Sequence, residues 1–145
     1  MLAGIKHLNR LDQVLARSEW ENAQIGEGLM LGQDGRVLCG TMSNIFVQRG
    51  QTLLTPSIDS AGIAGVVRNL ALEIGRGIEK PVREGLVSLD DLRSADALFL
   101  SNSLMGMARV QSYESIDYAP DIGEHVVVAK ARRLCHQSEP WDPES

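Results

Sequence analysis

Four short segments rich in β-forming residues follow one another between residues 28 and 55, and turn residues separate them. They cover residues 28–31, 36–38, 43–48 and 52–55. The Asp34-Gly35 pair between the first two is typical of a tight hairpin turn. Four strands are therefore expected before the next helix, which argues against a strict alternation of strand and helix.

Helices are predicted before and after these strands. The first runs from Ile5 to about Trp20, where apolar residues recur at intervals of three and four. A second begins at Gly65 and ends near Gly75 or Gly77, and the last spans roughly residues 122–136.

The remaining segments complete a mixed fold. Residues 80–84, 97–101 and 108–113 are predicted strands, and Ser88 is a candidate N-cap for a short helix that ends near Ser94. The fold class expected from these elements is α/β (α+β), an irregular mixed sheet or pseudo-barrel with flanking helices.

Composition limits the classes of function. The 145 residues suit one domain, since domains usually have about 50 to 250 residues. With 43% hydrophobic and 23% charged residues the chain lies in the globular range. Its net charge of -5 gives no general attraction to nucleic-acid phosphates, so nucleic acid is not expected as a partner.

Several other features are expected to be absent. The longest apolar runs, 97–100 and 126–129, are far shorter than the roughly 20 residues of a membrane span, so no membrane partner is expected. The first residues do not resemble a secretion signal, which makes a cytoplasmic location the expectation. Cys39 and Cys135 form no CxxC pair and the three histidines are scattered, so we expect reduced thiols and no metal site.

Four separated blocks of sequence resemble a single enzyme family. The blocks are Gly4-Ile5-Lys6-His7-Leu8-Asn9-Arg10-Leu11, then Gly40-Thr41-Met42-Ser43-Asn44-Ile45-Phe46 with Leu53-Leu54-Thr55 after it, then Ile63-Ala64-Gly65-Val66-Val67-Arg68, and finally Leu98-Phe99-Leu100-Ser101-Asn102-Ser103-Leu104-Met105. In their residues and their order they resemble the fold-type IV pyridoxal-phosphate enzymes of the class-IV aminotransferase family. The aminodeoxychorismate lyases are the most similar members.

The resemblance extends over roughly residues 2–136 and carries expectations about organisation. It implies the C-terminal domain of the D-amino-acid-aminotransferase-like fold, with residues 1–137 as a domain that binds pyridoxal 5'-phosphate. Family members have a smaller domain before the lysine helix, and we expect that this N-terminal domain is absent here. Residues 138–145 are expected to form a flexible tail. A homodimer is implied by the family alone.

The resemblance assigns the main chemistry to a lysine and a helix start. Lys6 becomes the catalytic residue, whose amine attacks the cofactor aldehyde and later moves a proton at the substrate α-carbon. The dianionic phosphate needs N–H donors, and the helix start at Gly65 would supply the amides of Val66 and Val67. The alternatives are a solvated lysine and a simple glycine turn.

Polar residues at the strand ends have supporting roles in this interpretation. Asn102 and Ser103 would donate to the phosphate or the substrate carboxylate, unless they are the locally satisfied polar groups of a turn. Asn44 is a cofactor-site residue with a structural role, because a buried amide can fix neighbouring loops. For Arg68, an ion pair within the fold is the preferred interpretation.

Cys39 departs from the family pattern. It occupies the cofactor-contacting position where the resemblance implies a glutamate that pairs with the protonated pyridine nitrogen. A thiol has a reference pKa of about 8.5, is mostly neutral at pH 7 and is therefore a poor partner for a pyridinium. Weakened catalysis is expected, unless another group takes that place or Cys39 is only a small buried residue.

The implied function is the conversion of 4-amino-4-deoxychorismate, a small-molecule substrate, to 4-aminobenzoate and pyruvate in folate synthesis. One alternative is a branched-chain or D-amino-acid aminotransferase domain of the same fold. Another is a catalytically inactive scaffold, for which Cys39 and the missing domain are the evidence. For this chain by itself, inactivity is the favoured prediction.

Overall fold

The computed structural model describes residues 11–22, 25–59, 62–78, 82–120 and 122–136. The helices in these residues are α1 (Leu11–Arg17), α2 (Val66–Arg76), α3 (Leu89–Arg93) and α4 (Val126–His136). The strands are β1 (Leu29–Leu31), β2 (Val37–Gly40), β3 (Asn44–Arg49), β4 (Thr52–Pro56), β5 (Val82–Gly85), β6 (Ala97–Asn102), β7 (Gly106–Arg109), β8 (Ser112–Tyr113) and β9 (Ile116–Asp117). Within the described ranges no helix has the length and apolar character of a membrane span.

A mixed five-stranded sheet with the strand order β5-β4-β3-β6-β7 organises the fold. The strand β3 pairs antiparallel with both β4 and β6, and β7 pairs antiparallel with β6. The strands β4 and β5 are parallel, and α2 lies in the connection between them. The predicted mixed sheet with flanking helices is confirmed, and the described strands do not close into a barrel.

The two faces of β3 and β6 contact separate apolar cores. On one face Phe46 lies opposite Phe99, and apolar residues of α2 and α4 cover the pair. On the other face Val47 lies opposite Leu98, and Val37 of β2 packs beside them. Because both faces are covered, β3 is a nearly continuous buried strand rather than an alternating one.

The first hairpin follows its sequence signal, but the first helix is shorter than expected. Gly35 has a φ of 78° and its amide donates to the carbonyl of Gly32 at 2.9 Å, so the turn between β1 and β2 is confirmed. The helix α1 ends at Arg17, and Trp20 instead packs against Gly28, where a Cβ would lie 2.4 Å from the indole. Residues 5–10 of the predicted helix lie outside the described residues.

The strand predicted over residues 108–113 is divided in two. The strand β7 ends at Arg109, and Ser112–Tyr113 forms β8, which pairs with β9 in a separate hairpin. Glu114 lies in the turn of this hairpin with a φ of 53°. The prediction of one strand was wrong because the local hairpin competes with pairing in the main sheet.

The helix α4 starts at Val126, later than the predicted residue 122. A buried glutamine explains the delay: the Gln48 amide donates to the carbonyl of Gly123 at 2.9 Å and accepts from the amide of His125 at 3.1 Å. His125 then accepts from the amide of Val127 through Nδ1 at 3.3 Å and so satisfies one of the open donors of the helix. A tertiary contact from β3 therefore sets the start of α4.

Arg68 is buried at 2% exposure in the first turn of α2. Its guanidinium donates to the carbonyl of Pro56 at 2.9 Å and forms an ion pair with Glu84 of β5. The predicted ion pair within the fold is confirmed. It connects α2 to the two parallel strands at the edge of the sheet.

The short helix α3 begins with the predicted cap. Ser88 accepts from the Asp91 amide at 3.1 Å, and the Asp91 carboxylate accepts from the Ser88 amide at 2.8 Å. The Asp91 carboxylate also accepts from the Ser88 hydroxyl at 2.7 Å, and the two hydrogen bonds that Ser88 donates to it, from its amide and its hydroxyl, lower the pKa of Asp91 together with nearby Arg49.

Asp91→Asn should destabilise the fold by about 1 kcal/mol at pH 7, which lowers Tm by about 2–4 °C. Because the folded-state pKa is lowered, the carboxylate stabilises the fold above its ordinary pKa and loses this effect as pH falls through the folded value. The Tm difference from wild type, measured by circular dichroism, should shrink towards acid pH. The exposed Asp59→Asn is the control, and a pH-independent difference for Asp91→Asn would contradict the assignment.

Candidate functional site

The start of α2 has open hydrogen-bond donors. Gly65 occupies the N-cap position, and no side chain caps the helix there. The carbonyl of Gly65 accepts from the Asn69 amide at 2.9 Å, so the helical hydrogen bonds begin at that amide. The amides of Val66 and Val67 in the first turn have no partner inside the helix. Val66 is 75% exposed, so this helix start can receive an anion from outside.

Close contact with Asn44 explains the glycine at the helix start. The Asn44 amide donates to the carbonyl of Ile63 at 2.8 Å, which ties the first residue of β3 to the loop before α2. A Cβ on Gly65 would lie 2.2 Å from Oδ1 of Asn44. Only a residue without a side chain fits there, so the sequence positions 44 and 65 form one structural unit.

Asn102 organises the loop after β6. Its Oδ1 accepts from the amides of Leu104 and Met105 at 2.9 and 2.8 Å, and its Nδ2 donates to the carbonyl of Met42 at 3.3 Å. The alternative of a locally satisfied turn therefore describes the Asn102 side chain in this structure. Ser103 is exposed beside it, and its hydroxyl has no hydrogen bond in the described part of the chain.

Cys39 lies on β2, directly before the turn that leads to Asn44. It is 9% exposed and pairs with Met30 of β1. Neither Cys39 nor Cys135 forms a disulfide within the described residues. Groups of three or more His, Cys, Asp or Glu that could hold a metal ion do not occur among the described residues.

Glu27 is a site residue that the sequence analysis missed. Its carboxylate accepts hydrogen bonds from backbone amides and hydroxyls of Gly28, Thr41, Met42 and Ser43. These partners, apart from Gly28, are 14 to 16 positions away, so no local pattern connects them. An acid before a strand and a hydroxyl-rich turn are the only sequence signals, and neither identifies the other.

The predicted residues thus form two connected groups. Asn44, Gly65, Val66 and Val67 meet at the start of α2. Asn102 and Ser103 lie at the adjacent end of β6, because Asn44 pairs with the residue before Asn102 across the sheet. The predicted catalytic Lys6 lies outside the described residues.

The residues present fit a pyridoxal phosphate at its phosphate end. An uncapped helix start with open amides and the exposed hydroxyl of Ser103 at the adjacent end of β6 are suitable partners for a dianion. For the pyridine nitrogen, the residue that the sequence analysis offers as a partner is the thiol of Cys39. The carboxylate of Glu27 is not an evident substitute, because it already accepts five hydrogen bonds.

Comparison with known proteins gives a consistent family. The sequence profile described as amino-transferase class IV matches residues 1–113. An aminodeoxychorismate lyase of Vibrio harveyi is 36% identical over 110 residues, which are 76% of this chain and 41% of the relative. A probable branched-chain-amino-acid aminotransferase of Thermotoga maritima is 34% identical over 107 residues, which are 74% and 38% of the two chains.

The fold agrees with a solved structure of the same kind. The crystal structure of 4-amino-4-deoxychorismate lyase from Pseudomonas aeruginosa matches with a TM-score of 0.84 and 39% identity, over 94% of this chain and 49% of that one. This chain therefore spans less than half the length of each of these three proteins. Since the family profile matches most of its length, the chain belongs to the class IV aminotransferase family.

Proposed function

We propose that this chain is the cofactor-binding part of a pyridoxal-phosphate-dependent lyase that converts 4-amino-4-deoxychorismate to 4-aminobenzoate and pyruvate. The observation that carries the proposal is the open helix start at Gly65, packed against Asn44 at the start of β3. The similarity to lyases from Vibrio harveyi and Pseudomonas aeruginosa supports this choice of substrate.

Each residue of the site has a distinct task in this proposal. The amides of Val66 and Val67 bind the cofactor phosphate, and Ser103 adds a hydroxyl donor beside them. Asn44 and Asn102 support the site by fixing the loops around it. Lys6 holds the cofactor and moves the proton at the substrate α-carbon. When bound, pyridoxal phosphate supplies an electron sink for the bond cleavage.

A second candidate function is a catalytically inactive scaffold of the same family. The thiol of Cys39, buried at the position where the resemblance implies an acid, favours it. An aminotransferase domain is the alternative within enzymes, supported by the Thermotoga maritima relative.

The whole assembly is also part of the proposal. The helix α1 has no buried residue, and its apolar residues Leu11, Val14 and Leu15 are 56 to 63% exposed. A further domain or a second copy of the chain would cover this stripe, and the family resemblance implies a homodimer.

Mixing the chain with pyridoxal phosphate and reducing with borohydride should add the cofactor to a single lysine, Lys6. Peptide mapping by mass spectrometry measures this directly. The adduct should disappear in Lys6→Ala and persist in Lys130→Ala, whose lysine is exposed on α4. Scattered adducts, or none, would favour the scaffold over the lyase.

Gly65→Ala should weaken cofactor binding at least tenfold, about 1.4 kcal/mol, because the new methyl group displaces Asn44 and disturbs the helix start. Absorbance titration with pyridoxal phosphate gives the Kd. Gly77→Ala is the matched control at the other end of α2, since its Cβ meets nothing closer than 3.6 Å. Equal Kd values for the two variants would contradict the proposal that the cofactor phosphate binds at this helix start.

Cys39→Glu should lower the Kd for pyridoxal phosphate at least tenfold, because a carboxylate can pair with the pyridinium. Cys39→Gln is the control, because glutamine has nearly the shape of glutamate but no charge. Thermal unfolding checks that both variants fold. If Glu and Gln have the same effect, position 39 does not contact the pyridine nitrogen.

A further inference from the structure

Glu27 makes the densest set of hydrogen bonds around the candidate site. Its Oε1 accepts from the amides of Gly28 and Thr41 at 3.0 and 3.1 Å, and from the Thr41 hydroxyl. Its Oε2 accepts from the Met42 amide at 3.2 Å and the Ser43 hydroxyl at 2.8 Å. Five donors surround one carboxylate, which is the arrangement that an anion requires.

The turn 40–43 is shaped around this carboxylate. Thr41 and Ser43 are 1% and 7% exposed and direct their hydroxyls to Glu27, whereas Met42 between them is 59% exposed. A Cβ on Gly40 would lie 2.9 Å from Oε2 of Glu27 and closer still to the Ser43 hydroxyl. The glycine is therefore required by the side chains that converge there.

The same turn contacts the loop after β6. The Met42 carbonyl accepts from Nδ2 of Asn102, and Oδ1 of Asn102 then accepts from the amides of Leu104 and Met105. The turn also leads directly into Asn44, which holds the loop before α2. Glu27 thus lies at the start of a chain of hydrogen bonds that reaches both loops of the candidate site.

We infer that Glu27 is a positioning residue: its carboxylate holds the turn 40–43 and, through the Met42 carbonyl and Asn102, the loop 102–105 of the cofactor site. The effect on cofactor binding rests on the proposed function, whereas the effect on the two loops does not. Because its oxygens are already occupied by five donors, Glu27 acts through the turn and does not contact the reacting atoms.

Glu27→Gln provides a selective test. The glutamine oxygen takes the place of Oε1, which accepts from three donors, and the glutamine NH2 takes the place of Oε2. The Met42 N–H then faces a donor and loses its acceptor. The Thr41 amide keeps a second acceptor, the carbonyl of Gly28 at 3.0 Å. Amide hydrogen exchange measured by NMR should therefore rise at least tenfold at Met42 and less at Thr41. It should also rise at Leu104 and Met105.

Glu21→Gln is the matched control, since it removes the same charge from an exposed position in the same segment. A general loss of stability would raise exchange in the central strands as well, and we expect no change at Phe46 or Phe99. Unchanged exchange at Met42, Leu104 and Met105 in Glu27→Gln overturns the inference, whether or not the chain binds pyridoxal phosphate.

Cofactor titration then separates the two proposals. If wild type binds pyridoxal phosphate, Glu27→Gln and Thr41→Val should each raise its Kd at least fivefold. Thr41→Ser keeps the hydroxyl donor and should restore nearly the wild-type Kd. Equal Kd values in all variants overturn the positioning role at the site. If wild type does not bind the cofactor, the proposed function fails, and the exchange rates alone decide whether Glu27 holds the loops.

Discussion

The pairing of β3 with β6 is the interaction on which the other elements depend. Five consecutive residue pairs, from Asn44 with Ser101 to Gln48 with Ala97, bring together the two longest strands, both largely buried. Their apolar side chains alternate between two cores, so a shift of one residue would exchange the faces and expose each core to the wrong neighbours. The helices α2 and α4 can pack on one face of the sheet because this register presents Phe46 and Phe99 to them.

The polar ends of the same strands form the candidate site. At the start of β3 and the end of β6, the apolar alternation gives way to asparagine and serine residues. The asparagine side-chain amides hold neighbouring loops by hydrogen bonds: Asn44 donates to the Ile63 carbonyl, and Asn102 accepts from the Leu104 amide. The result is a helix start whose backbone donors remain open, while the two asparagine side chains near it already hold loops. Such an arrangement favours a ligand that is anionic at one end.

Two positions near the proposed site, 39 and 27, differ in whether this chain carries an acid there. In the proposed site, the resemblance implies an acid at the position of Cys39, whereas the structure shows a different acid, Glu27, holding the turn directly after it. A carboxylate that already accepts from five donors has little capacity left for a further partner. The structure therefore separates the support of the site from its chemistry.

The sequence determined the order and type of most elements, because hydrophobic period, turn pairs and caps are local. The Asp34-Gly35 turn, the Ser88 cap and the strands around Phe46 and Phe99 follow from neighbouring residues, and so did the family resemblance. Only the tertiary structure decided the start of α4, the division of the strand after Arg109 and the role of Glu27. The start of α4 and the role of Glu27 depend on partners distant in sequence, and a hydrogen bond across 14 to 77 positions has no periodic signature in the chain. The division after Arg109 comes from a local hairpin, and only the packed fold decides whether these residues pair there or in the main sheet. The ion pair of Arg68 lies between these cases: its residue type indicated a partner, and the fold selected Glu84 by bringing β5 beside β4.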